Sequence, residues 1–166
     1  MRKLTIVRHA KASWGEAEHS DFERPLHERG RRDAQRMAAW AQHAIGIPDR
    51  IISSPALRAI TTARSFAETF GIDEEQIVIQ PRIYEASLST LMRLLRGFDN
   101  DDFHIMLFGH NPGLSELACS LAHCPFDDLP TCAVVQLAFA AKEWQALDTD
   151  SGELLRYLFP KQLTET

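Results

Sequence analysis

Cysteine is scarce: three thiols, Cys119, Cys124 and Cys132, stand in a chain of 166 residues. They form neither a C-x-x-C pair nor an even framework, which fits a reducing compartment and excludes a disulfide scaffold. A thiol phosphatase would carry an arginine six positions after its cysteine, so that one loop holds both nucleophile and phosphate clamp. Pro125, Pro130 and Ala138 occupy those positions, and that chemistry is excluded too. Long apolar runs are also missing. No stretch approaches the roughly 18 consecutive apolar residues of a membrane span. The opening MRKLTIVRHAK lacks the apolar core and small-residue cleavage site of a secretory signal. A cytoplasmic location with no membrane partner is the expectation.

Positive charge is not in excess. Eighteen lysines and arginines face 23 aspartates and glutamates, a formal net charge of −5 with histidine neutral, so no global basic field draws the protein to nucleic acid. Seven histidines are present, yet none are spaced H-x-x-H or H-x-x-x-H and no acidic cluster accompanies them. No metal and no cofactor are expected. The serine of a G-x-S-x-G turn and the Walker glycine loop are absent as well. With no internal repeat, low-complexity run or linker, one domain over residues 1–166 is expected, and its 45% hydrophobic content is enough for a core of its own.

What is present alternates. Short β-branched runs at 3–7, 50–52, 77–79 and 105–108 are separated by stretches of helical period at 28–45, 55–70, 88–96 and 111–121, the pattern of an α/β fold. Ser54 as cap and Pro55 at the first helical position are expected to start the second helix, with Gly71 ending it. Asn111 and Pro112 are expected to start the fourth in the same way. Strands at 134–139 and 154–159 follow, joined around Asp148-Thr149-Asp150-Ser151-Gly152. Their pairing direction is open from the sequence.

In open α/β sheets, ligands sit beyond the carboxyl ends of the strands. That rule selects Arg8 and His9 after the first strand, Arg58 in the helix after the second, Glu85 after the third and His110 after the fourth. Two guanidiniums with helix N-terminal amides suit a phosphoryl group, whose oxygens carry charge in both ground and transition states. Among the side chains at these strand ends the nucleophile candidate is an imidazole, His9, kept neutral by the arginines beside it. Each residue alone also has a bland reading: Arg-His as a loop edge, Arg58 as a solvated helix residue, Gly109 to Pro112 as a turn.

Arg8-His9-Ala10-Lys11, Ser53-Ser54-Pro55-Ala56-Leu57-Arg58 with Thr61-Thr62-Ala63, Gly109-His110-Asn111-Pro112, and Arg24-Pro25-Leu26 leading into Glu28-Arg29-Gly30 together resemble the histidine phosphatase superfamily. Within it they resemble the short SixA-like phosphohistidine phosphatases, over nearly the whole chain. The resemblance implies a three-layer α/β/α sandwich with a mostly parallel central sheet, the phosphoglycerate mutase-like fold. It also implies a covalent phosphohistidine on His9, with Arg8, Arg58 and His110 holding the phosphoryl oxygens. Ala10 stands where the wider superfamily has glycine. Glu85 is the candidate general acid by order, with a salt-bridge or helix-capping role as its alternative.

A phosphoramidate leaves as an imidazole and makes a strong acid dispensable, so the expected substrate is phosphohistidine on a protein, a histidine-containing phosphotransfer domain or a phosphocarrier. Two other readings stand beside it: an esterase or mutase acting on a small phosphorylated metabolite with Glu85 as acid, and a non-catalytic phosphohistidine-binding module. Trp14 and Ser13, in the polar loop after His9, are near enough in sequence to flank the pocket, with solvation as the alternative for Ser13.

Overall fold

The computed structural model describes residues 1–14 and 20–163. Its central sheet contains β1 (Arg2–Arg8), β2 (Arg50–Ser53), β3 (Val78–Ile79), β4 (His104–Gly109), β5 (Val134–Phe139) and β6 (Gly152–Leu158), in the order β3-β2-β4-β1-β5-β6. The pairs β1–β4, β2–β4 and β2–β3 are parallel, while β5 runs antiparallel to both β1 and β6. This answers the question of direction that the sequence leaves open.

The layering follows from the two-residue period of the strands. On β4, Ile105 and Leu107 point into one core with Leu4 and Ile6 of β1; Met106 and Phe108 point into the other with Val7. Both faces are therefore apolar and both need covering, which is why buried parallel strands read as continuous hydrophobic runs. Helices α1 (Glu28–Ala44) and α2 (Leu57–Phe70) cover one face, and α3 (Leu88–Arg96) and α4 (Gly113–Leu121) cover the other. The result is the expected α/β/α sandwich.

Each helix carries its apolar stripe toward the sheet. Ala34, Met37, Ala38 and Ala41 of α1 are fully buried at helical spacing. On α2, Phe66 meets Phe70 and Phe108 edge to face, with ring centroids 6.0 and 5.1 Å apart. Truncating a phenylalanine buried in this way costs about 3–5 kcal/mol.

Of the boundaries that differ from expectation, three have an identifiable cause. Helix α2 starts at Leu57 with Ala56 as its cap, because Ser54 spends its hydroxyl on the Ala56 amide (3.2 Å) in a turn that precedes the helix. Helix α4 starts at Gly113, since Asn111 turns its side chain to Ser115 (2.6 Å) and the Leu129 carbonyl (2.9 Å) rather than to the helix amides. Strand β6 begins at Gly152, two residues early, where the pairing Phe139↔Gly152 extends the ladder into the turn-rich segment.

Candidate active site

The site is built by register. Arg8 pairs with Gly109 and Ser53 with Phe108, so the three parallel strands β1, β2 and β4 end level with one another. The next residues, His9, Ser54 and His110, therefore emerge side by side. Main-chain bonds fix them there: the His9 amide donates to the Gly109 carbonyl (3.1 Å) and the Ser54 amide to the Phe108 carbonyl (3.0 Å).

The loop after β1 is held from two sides. The Ala10 amide donates to Thr62 Oγ1 (3.0 Å), whose hydroxyl donates to the Arg58 carbonyl (2.8 Å), so Thr62 ties the loop to α2. On the other side the Lys11 carbonyl accepts the His27 amide (2.8 Å). Gly30 lies against it so closely that a Cβ there would sit 2.1 Å from the Lys11 oxygen. Thr62, His27 and Gly30 thus act on the backbone of the His9 loop.

His9 is 8% exposed, and its Nδ1 lies 2.8 Å from the Ala10 carbonyl oxygen. A carbonyl only accepts, so Nδ1 carries the proton and Nε2 keeps the lone pair. Burial first, then the charges of Arg58, Arg8 and Arg24, push its pKa down to about 4 against the pull of the Ala10 carbonyl, and the ring is neutral at pH 7. His110 stands beside it, ring centroids 5.3 Å apart and planes tilted by 51°. Burial and the neighbouring His9 and Arg58 push His110 down to about 3. Its Nε2 is 2.7 Å from Ser54 Oγ, while its Nδ1 is buried with no partner among the described residues. Arg8 has the same property at Nε, although its Nη1 donates to the Leu129 carbonyl (2.8 Å).

Arg58 is 7% exposed and reaches a residue that sequence reasoning missed. Its Nη1 donates to the Asp21 carbonyl (2.7 Å) and its Nη2 to the Asp21 carboxylate (3.1 Å). The same carboxylate accepts the Tyr84 hydroxyl at 2.6 Å and Arg24 Nη1 at 3.2 Å. These bonds, that from Tyr84 foremost, hold the Asp21 carboxyl down at about 2. The Tyr84 and His110 rings meet nearly perpendicular, centroids 5.6 Å apart. The i,i+3 spacing of Asp21 and Arg24 signals that local pair but not the reach to Arg58 and Tyr84.

The structure brings Arg8, His9, Arg58 and His110 together, but gives Glu85 no such place. Glu85 is exposed, in a left-handed conformation (φ 55°), with no hydrogen bond or ion pair among the described residues. Neither the capping nor the salt-bridge alternative holds, since Ser87 caps α3. Trp14 is 82% exposed and lies under the Arg24 guanidinium, 4.3 Å from its ring centroid. The Ser13 carbonyl accepts from Arg24 Nε at 3.1 Å. A cavity of about 530 Å³ between α3 and strands β2 and β3 is lined by none of the four clustered groups.

Fold and site together define an α/β enzyme domain of phosphoryl-handling type, with imidazoles and guanidiniums gathered where three parallel strands end. The family model of the histidine phosphatase superfamily, branch 1, matches residues 4–96, and the chain belongs to that superfamily. A crystal structure of the SixA protein of Agrobacterium tumefaciens, provisionally named a phosphohistidine phosphatase, superposes with a TM-score of 0.79 at 27% identity over 95% of this chain and 97% of that one. A SixA protein histidine phosphatase complexed with tungstate shares the fold, with a TM-score of 0.80 at 20% identity over 98% and 99%. An uncharacterised chloroplastic protein of Arabidopsis thaliana is 29% identical over 91% of this chain and 72% of its own length. Family and neighbours place the chain among phosphatases.

Proposed function

We propose that this chain is a phosphohydrolase that removes the phosphoryl group from phosphohistidine on a protein, acting as a single cytoplasmic domain with His9 as its nucleophile. The observation that carries this reading is the bond from His9 Nδ1–H to the Ala10 carbonyl, which leaves a neutral Nε2 lone pair beside two guanidiniums.

In the first step His9 Nε2 attacks phosphorus, a new N–P bond forms and the substrate's N–P bond breaks, its imidazole leaving with the bonding pair and taking up a proton. Water then attacks the phosphoryl group on His9, releasing inorganic phosphate and restoring the lone pair. Through both steps the charge on the phosphoryl oxygens is what the site must hold. Arg8 and Arg58 supply fixed positive charge. His110 supplies a neutral donor: with the Ser54 hydroxyl donating to its Nε2, the unpartnered Nδ1–H is left for a phosphoryl oxygen. The buried Arg8 Nε, a charged donor with no partner among the described residues, is a second.

An imidazole leaving group needs no strong acid, which accords with an exposed Glu85 that makes no hydrogen bond or ion pair among the described residues. An ester substrate would need one. The test is phosphate release from a histidine-phosphorylated phosphotransfer domain beside an aryl phosphate, with His9→Ala as control. Fast release from the protein, slow release from the ester and none from His9→Ala is the expected result. Retained turnover in His9→Ala overturns the mechanism, preference for the ester returns a small-molecule substrate, and binding without release makes the chain a phosphohistidine-binding module.

A further inference from the structure

The net charge of −5 hides a local reversal. A cavity of about 770 Å³ is lined by Lys11, Arg29, Arg36 and Lys161 against a single acid, Asp33. Asp33 is already engaged by Arg36 at 3.6 Å, and Arg36 also donates to the Leu163 carbonyl (3.3 Å). Lys11, Arg29 and Lys161 are exposed and have no carboxylate partner among the described residues. The groove therefore gathers unneutralised positive charge from three separate parts of the chain: the His9 loop, α1 and the segment after β6.

Its position matters as much as its charge. Lys11 follows His9 by two residues, and Thr131 and Pro130, which complete the near wall, precede the Cys132 amide that donates to the His9 carbonyl (3.0 Å). The groove thus shares the His9 loop with the phosphoryl site, although none of Arg8, His9, Arg58 and His110 lines it. A small phosphate is held by Arg8, Arg58 and His110 and does not extend to Lys161. A macromolecule presenting its phosphohistidine to His9 brings further surface toward the Lys11 and Thr131 side of the groove.

Building on the phosphohistidine reading above, we propose that this groove is the docking surface for the substrate protein, and that the partner carries carboxylate side chains beside its phosphohistidine. Charge complementarity of this kind steers encounter and fixes orientation, and it acts on association with the protein rather than on the chemical step. The groove thus separates protein substrates by the charge around their histidine. An acidic surface is accepted and a basic one repelled.

The test compares two substrates with the same leaving group: free phosphohistidine and an acidic, histidine-phosphorylated phosphotransfer domain. In Arg29→Glu/Lys161→Glu, kcat/KM for the protein is expected to fall about tenfold or more while that for free phosphohistidine stays within about twofold. In the wild type, KM for the protein should rise as ionic strength goes from about 0.05 to about 0.5 M, and that dependence should vanish in the double variant. Equal losses on both substrates, or no loss on either, overturn the docking surface. So does duplex DNA that binds the wild type, fails to bind the variant and leaves turnover of the protein unchanged. A wild type that cleaves free phosphohistidine but not the protein removes the docking surface and leaves the chemistry standing; one that cleaves neither overturns the functional reading itself.

Discussion

Arg58 and Asp21, 37 residues apart, are joined twice: once through the Asp21 carbonyl at 2.7 Å and once through its carboxylate at 3.1 Å. A buried guanidinium is thereby aimed before any substrate arrives, and a half-exposed carboxylate is its counter-charge. Asp21→Asn keeps one hydrogen bond and removes the charge. It is expected to lower kcat/KM for phosphohistidine about three- to tenfold, whereas Arg58→Ala, which deletes a donor to the phosphoryl oxygens, should cost about 10²- to 10³-fold. If Asp21 acts through Arg58, adding Asp21→Asn to Arg58→Ala costs nothing further, and steady-state kinetics of the double-mutant cycle measure that coupling directly.

Glu85→Gln should leave phosphohistidine hydrolysis within about twofold of wild type, because no general acid is required for an imidazole. A loss of about 10²-fold or more in the same assay would give Glu85 the role of acid despite its exposed, partnerless position.

Gly30→Ala tests the packing behind the loop. The added methyl would lie 2.1 Å from a main-chain oxygen that cannot swing away, so helix α1 and the Lys11 backbone must separate. The expected cost is about 1–3 kcal/mol in urea unfolding, with a fall in kcat because the displaced segment carries His9.

The buried imidazoles set the acid limb of stability. His9 and His104 titrate at about 4 and His110 at about 3 in the folded chain, below the ordinary 6.5. Between those values the unfolded chain binds more protons, so stability is full above pH 6.5 and falls as pH drops toward 4 and then 3. Calorimetry from pH 7 to pH 4 should find Tm falling, with an uptake on unfolding by these rings that peaks near pH 5 at about three protons and declines to about two at pH 4. In an NMR titration the His9 ring should show a midpoint near 4; a midpoint at 6.5 would contradict its burial.

Much of this was legible in the residues. The apolar run of β4 and the stripe of α1 give layers because periodicity reports which faces need covering. Arg8, His9, Arg58 and His110 could be gathered because a parallel sheet delivers its strand ends to one edge. Asp21 could not. Its partners, Arg58 and Tyr84, lie 37 and 63 residues away, and it sits in the 3-10 turn Asp21–Glu23, which has no periodicity to read. The starts of α2 and α4 were misplaced for a related reason. Ser54 and Asn111 have capping chemistry, but Ser54 accepts from the Ala56 amide ahead of the helix, and Leu129 and Ser115 claim the Asn111 side chain.

The bond that fixes the His9 tautomer ends on the carbonyl of Ala10, and this has an evolutionary consequence. An orienting side chain can be deleted by one base change; a main-chain oxygen is present whichever residue occupies position 10. The choice of attacking nitrogen is therefore written into the path of the backbone and is invisible to single substitutions at its acceptor. Drift can replace the methyl of Ala10, within the space its burial allows, and the ring still presents the same atom.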